Sequence, residues 1–194
     1  MKKFSFYWFY VYFSIFLVFA LNLIFKFEIS TFLWVLACFG IMILPYALVV
    51  LLIKYLPRNW FTPEKKIFKV YKFEGKLYES FGIKKWKDKV PELGKVLAGF
   101  DKSQIANPKD TKYLMLFLTE NCKGSFGHMF SLIWSFLSLI IVALVCPWPF
   151  VLSAGLPIAF VSGSVHYLSL IILRYMRPRL MKLYELNKKR EESK

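Results

Sequence analysis

The sequence predicts an all-α membrane protein: about four transmembrane helices, with a basic, aromatic-rich interfacial cytoplasmic segment between spans two and three. Three observations carry this. Of the 194 residues, 57% are hydrophobic and 20% aromatic, more apolar surface than a soluble domain of that length has interior to hide. The charges are gathered between long uncharged runs. The 27 Lys and Arg outnumber the 12 Asp and Glu and fall almost wholly on one side of the layout those runs imply. The length allows a single integral membrane domain, residues 1–194.

The first run, Phe4 to Phe25, holds 22 residues between Lys3 and Lys26. It is too long and too aromatic for a cleaved leader, and no small-residue cleavage site follows, so it predicts a retained span. Ile29 to Ile53 adds 25 uncharged residues between Glu28 and Lys54. Each run exceeds the roughly 20 residues that cross a bilayer core, and the short "KFE" link makes them a hairpin.

Gly124 to Leu173 is a fifty-residue stretch without Lys, Arg, Asp or Glu. As one helix it would be roughly 75 Å long at about 1.5 Å per residue, far more than a bilayer's thickness. It must fold back, and "CPWPF" at Cys146–Phe150 is the expected turn: its two prolines break a helix and its tryptophan suits an interface. Spans three and four are then about 129–145 and 150–173.

Four spans leave both termini and Lys54–Lys123 on one side with 26 of the 27 basic residues, Lys26 being the exception. The positive-inside rule makes that side cytoplasmic, with both termini on it. The excess charge points to anionic lipid, and no nucleic-acid motif accompanies it. The segment 54–123 carries 16 basic and 8 acidic residues interleaved with Phe, Tyr, Trp and Ile, a composition suited to the headgroup layer. Thr62 followed by Pro63 reads as a helix start, although "KIFKVYKF" is equally compatible with extended chain. Asn107 and Pro108 repeat the start signal before the apolar "YLMLFL". The basic tail occupies 174–194.

Candidate chemistry centres on the two histidines, both inside the uncharged stretch. His128 and His166 lie on the order of 8 and 12 Å in from Lys123 and Arg174 by helical rise. Ionisable groups at that depth are costly and default to functional or paired roles. His128 is the expected general base. Glu120, eight residues earlier, would hold its tautomer if the chain folds back at Gly124 and Gly127. Cys122 and Ser125 stand near enough in sequence to be nucleophiles, but no GxSxG elbow exists; "SGSVH" lacks the second glycine. Glu120, Cys122 and His128 fall one ligand short of a zinc site, and the three cysteines show no CxxC spacing, so no metal or cofactor is expected. "RYMRPRL" (Arg174–Leu180) reads in two ways. Arg174, Arg177 and Arg179 are either a phosphate clamp for a donor headgroup or a stop sequence snorkelling to lipid.

"FEGKLYESFGIKKWKDKVPELG" (Phe73–Gly94), "TENCKGSFGH" (Thr119–His128) and "RYMRPRLMKL" (Arg174–Leu183), in that order and spacing, resemble the glycosyl-diaponeurosporenoate acyltransferase family of staphyloxanthin synthesis. The resemblance covers roughly 66–190. It implies a bacterial integral enzyme of the cell membrane that esterifies a fatty acyl chain onto a sugar hydroxyl of a glycosylated carotenoid. The donor would be a phospholipid, acyl-CoA or acyl carrier protein, and the acceptor a glycosylated lipid. By motif position it implies roles for Glu74, Trp86, Lys87, Glu120, His128, Arg174, Arg177 and Arg179. In the family's pattern an acid stands at the place of Ser125 and an asparagine at that of His166, which this reading assigns to substrate binding.

Two other classes compete. A non-enzymatic membrane adaptor or assembly protein would leave the histidines replaceable. A lipid transporter would want charges in the first two spans and an inverted repeat of broken helices, and the sequence has neither.

Overall fold

The computed structural model describes residues 13, 14, 16–18, 20, 24, 28–90 and 105–193. Among them there are helices and turns but no strand. Among the described residues three helices are long and apolar enough to cross a membrane: α1 (Ile29–Tyr55), α4 (Thr111–Val145) and the run Trp148–Glu192. That run comprises α5 (Trp148–Phe150), a π turn (Val151–Gly155) and α6 (Leu156–Glu192). The expected first span at 4–25, with the link after it, lies largely outside the described residues. Phe13, Ser14, Phe16, Leu17, Val18, Ala20 and Ile24 are helical.

The expected spans 129–145 and 150–173 are pieces of longer helices. α4 begins eighteen residues before Met129, and α6 runs on nineteen residues past Leu173. Charge ends an apolar run, but a helix ends only where its backbone loses partners or meets a breaker. The expected break at Gly124 and Gly127 is therefore absent, and "RYMRPRL" continues a helix.

The described chain divides into two compact units, with boundaries inside α1, α4 and α6. One takes in the residues up to Leu52 and His128–Leu168; the other takes in Ile53–Gly127 and the residues from Ser169 onward.

In the first unit the turn at Cys146 is as expected. The Cys146 amide closes α4 on the Val142 carbonyl at 2.8 Å, and the Phe150 amide reaches the Pro147 carbonyl at 2.9 Å. The π turn follows from Pro157: it has no N–H to offer the Ser153 carbonyl, so Leu156 bonds back five residues to Val151. α6 then returns antiparallel to α4, with Val142 opposite Gly155, Ser135 opposite Ser162 and His128 opposite His166. The helices approach closely because Gly155, Ala159 and Gly163 recur every four residues on one face of the returning chain. A Cβ on Gly155 would stand 3.0 Å from Val142, and one on Gly163 would stand 3.1 Å from the Phe136 ring. α1 completes the core with Val35, Cys38 and Met42 against Val142, Cys146 and Ala154. Cys38 Sγ lies 3.8 Å from Cys146 Sγ, an adjacency that sequence spacing did not suggest.

In the second unit the segment after α1 is wound, not helical, where Thr62-Pro63 predicted a start. Lys65 bonds back to the Thr62 carbonyl, and short 3-10 turns at Arg58–Phe61 and Lys66–Phe68 put Phe61 and Phe68 against Cys122. A helix begins only at α2 (Lys72–Ser80), where Glu74 accepts the Tyr71 amide at 2.9 Å. Gly82, at φ +67°, turns the chain into α3 (Ile83–Trp86), a conformation that favours glycine. The second predicted start is displaced by three residues. Asp110, not Asn107, caps α4 by accepting the Tyr113 amide at 3.1 Å.

The small-residue face yields a prediction. Gly155→Leu has to displace Val142 and Leu139, and overpacking of this kind costs about 1–3 kcal/mol. A lower melting temperature in detergent is expected, measured by size-exclusion of heated samples. Gly40, beside which a Cβ meets nothing within 4 Å, tolerates alanine without a shift.

Candidate functional site

In the first unit both histidines are half-buried and face each other from opposite helices. His128 Nδ1 lies 3.2 Å from His166 Nδ1, with ring centroids 5.5 Å apart. Two ring nitrogens at that distance share one hydrogen, so one ring donates through Nδ1 and the other accepts. In a neutral donating ring Nε2 is the unprotonated nitrogen, the form a general base requires. Tyr46 of α1 sets its ring edge-on to His166 at 4.8 Å. Its hydroxyl stands 2.7 Å from Ser135 Oγ and 3.2 Å from Ser162 Oγ. Each serine gives its own proton to a carbonyl one turn back, Ser135 to Ser131 at 2.8 Å and Ser162 to Ile158 at 2.7 Å. That leaves both serine oxygens as acceptors facing the single Tyr46 hydrogen.

Sequence reasoning missed Tyr46, Ser135 and Ser162. The signal was present: His128, Ser131, Ser135 and Ser138 recur at helical spacing in an otherwise apolar run, and Ser162 and His166 are four apart. "SGSVH" was tested for a nucleophile, whereas its hydroxyl and imidazole line one face of α6.

Glu120 does not turn back. On the unbroken α4 it pairs with Lys123, one turn on, at 3.4 Å. Ser125 gives its hydroxyl hydrogen to the Asn121 carbonyl at 2.9 Å, and Cys122 packs among Phe61, Phe68 and Phe126. Among the described residues no three His, Cys, Asp or Glu side chains gather as metal ligands.

The second unit holds the arginines. Arg174 grips Glu74 with two nitrogens, Nε to Oε2 at 2.7 Å and Nη2 to Oε1 at 2.8 Å, and Nη2 also reaches the Lys69 carbonyl. Tyr78 donates to the same carboxylate at 2.7 Å. Arg177 is 2% exposed. Its Nε donates to Asn121 Oδ1 at 2.8 Å, its other nitrogens reach the Phe68 carbonyl and Ser125 Oγ, and its plane lies 5.6 Å from the Phe68 ring centroid. Arg179 faces outward, 2.8 Å from the Tyr175 hydroxyl and 3.9 Å from Glu79. Of the three forks expected on a phosphate, the two inner ones are engaged by protein acceptors. Trp86 donates to the Phe81 carbonyl at 3.0 Å and packs beside Tyr78 and Tyr175, and Lys87 pairs with Asp88.

Burial alone would raise the Glu74 carboxyl. Hydrogen bonds from Arg174, the Tyr71 amide and Tyr78 outweigh it and hold the group at about 2, against an ordinary 4.5. Burial and the carboxylate beside it push the Tyr78 hydroxyl up to about 12. A depressed carboxyl contributes stability in full above its ordinary value and loses it as pH falls toward the folded one. The Glu74–Arg174 contribution is thus constant at neutral pH and fades between about 4.5 and about 2. Removing one partner of a fully buried pair costs about 3–5 kcal/mol, and this nearly buried one should approach the lower end. Glu74→Gln should lower the melting temperature at neutral pH and flatten its dependence on acid over that window, measured by thermal unfolding in detergent across the pH range.

No curated protein and no solved structure matches the chain. The family model CrtO, glycosyl-4,4'-diaponeurosporenoate acyltransferase, matches residues 57–186. That span takes in α2, α3, both histidines and all three arginines of "RYMRPRL", and on it the chain belongs to the CrtO glycosyl-4,4'-diaponeurosporenoate acyltransferase family.

Proposed function

We propose that the protein is a membrane acyltransferase that esterifies a fatty acyl chain onto a sugar hydroxyl of a glycosylated lipid, a glycosylated carotenoid in the staphyloxanthin manner. The observation that carries the chemistry is the His128–His166 pair at 3.2 Å. His128 donates its Nδ1 hydrogen to His166 and presents Nε2 as base. The sugar oxygen attacks the acyl carbonyl while its proton passes to Nε2. Collapse of the tetrahedral intermediate expels the donor's thiol or alcohol, which takes that proton back. A hydroxyl near pKa 16 gains about 10²–10⁴-fold from such a base. His166 is a positioning residue here and takes over the part that the sequence assigned to Glu120. Arg179, the outward fork, is the arginine left to meet a donor phosphate.

Replacing His128 by alanine should abolish product while leaving the protein in the membrane. His166→Asn should retain activity, because an amide oxygen accepts the same hydrogen, and His166→Leu should lose it. Glu120→Gln, which touches the Lys123 pair, should stay near wild type. Mass spectrometry of lipids from membranes of matched expression, scoring the species heavier by one acyl chain, decides among these. Near-normal turnover by His128→Ala removes the assignment.

We place the basic side in the cytoplasm, since 26 of the 27 Lys and Arg fall there. A membrane-impermeant maleimide applied to intact cells should then label Trp148→Cys and spare Ser80→Cys until the cells are opened. Labelling of Ser80→Cys from outside reverses the orientation.

A further inference from the structure

α2 is amphipathic in the opposite sense to a helix of a water-soluble domain. Phe73, Leu77 and the capping residue Phe81 recur every four residues and so form one stripe. A soluble domain would bury such a stripe. Here Phe73 is 64% and Phe81 62% exposed, while Glu74 and Tyr78, each one position on from a ridge residue, are 7% and 8% exposed. What turns the helix over is the carboxylate: Arg174, Tyr78 and the Tyr71 amide all hold Glu74 inward. The same exposure extends upstream, where Trp60, Ile67 and Tyr71 also stand open. Lysines flank the stripe throughout: Lys65, Lys66, Lys69, Lys72 and Lys76 are all exposed, and Lys69 lies over the Tyr71 ring at 5.8 Å.

We infer that the Phe73–Leu77–Phe81 ridge and its flanking lysines are a bilayer-docking surface that inserts its aromatic side chains among anionic phospholipid headgroups. Rings at the acyl boundary with ammonium groups at phosphate level fit the chemistry of both components. Tethering favours the bilayer over a soluble acidic partner. Sixteen residues separate Tyr55, the end of apolar helix α1, from Lys72, the start of α2, so the lipid is present at high effective concentration.

The test uses the full-length protein in vesicles of phosphatidylcholine and phosphatidylglycerol, with a nitroxide spin label on Phe73→Cys, Leu77→Cys or Phe81→Cys and on Lys189→Cys as reference. These ridge side chains are exposed, so their replacement leaves the core intact. Collisions with oxygen, which partitions into lipid, and with a water-soluble nickel chelate are compared. The ridge labels should lose nickel collisions and gain oxygen collisions relative to Lys189→Cys, and the shift should shrink in phosphatidylcholine alone. Ridge labels that meet nickel as often as the reference in anionic vesicles overturn the proposal. So does protection that appears only when an acidic acyl carrier protein is added.

Discussion

A guanidinium as far from water as that of Arg177 persists only if its N–H groups meet acceptors. Two helical residues and one loop carbonyl supply them: Asn121 and Ser125 on α4, and Phe68 in the 3-10 turn before α2. Asn121 also donates to the Leu173 carbonyl at 3.1 Å, so α4 and α6 are tied from both sides of one amide. One turn earlier on α6, Arg174 holds the Lys69 carbonyl and Glu74. The stretch from Phe68 to Glu74 is therefore fixed by two neighbouring arginines. That fixes which face of α2 turns inward, and the exposed ridge follows from it. Had lysines stood at these two positions, neither the two-nitrogen grip on Glu74 nor the three-way contact of Arg177 could form, because an ammonium is a single point of contact.

The first unit meets a different constraint. Its helices are apolar on most faces, so each hydroxyl must find a partner within the protein. The serines do this locally, one turn back on their own helix, and that leaves their oxygens as acceptors for Tyr46. The two histidines meet across the antiparallel pair, Nδ1 to Nδ1 at 3.2 Å. The close approach set by Gly155 and Gly163 makes the pairing possible: bulkier residues at those two places would spread α4 from α6.

Much of this was legible in the sequence where a single residue type decides the outcome. "CPWPF" marked the turn because proline has no N–H to give. The uncharged runs marked the apolar helices because charge is costly in lipid. The depth of the two histidines marked them as a pair of interest. What failed were inferences about where helices stop. Gly124 and Gly127 read as a break, yet α4 runs through both, and at Gly127 the end of the Ile53 side chain lies 3.2 Å from where a Cβ would be. A glycine accommodated within a helix looks the same in sequence as one demanded by a turn. The arginines of "RYMRPRL" likewise read as an edge. Which of them is buried depends on Asn121, Ser125 and Glu74, residues 50 to 100 positions away.

In the proposed reaction the partner of the base is a second imidazole, where the serine-hydrolase pattern has a carboxylate. In an apolar setting the difference is physical. A carboxylate beside His128 would be a charge that needs compensation when the site is empty, at a cost that grows as water is excluded. A neutral His166 orients the ring with one hydrogen bond and brings no anion into the apolar setting. The imidazolium then formed gains less from a neutral acceptor than from an anion, so the pair exchanges some transition-state stabilisation for a resting state that is cheaper in lipid. An asparagine at the same place would strike the same balance, because it too offers an acceptor without charge. On this reasoning what His128 requires at position 166 is an uncharged acceptor of the right reach, not a second titratable group.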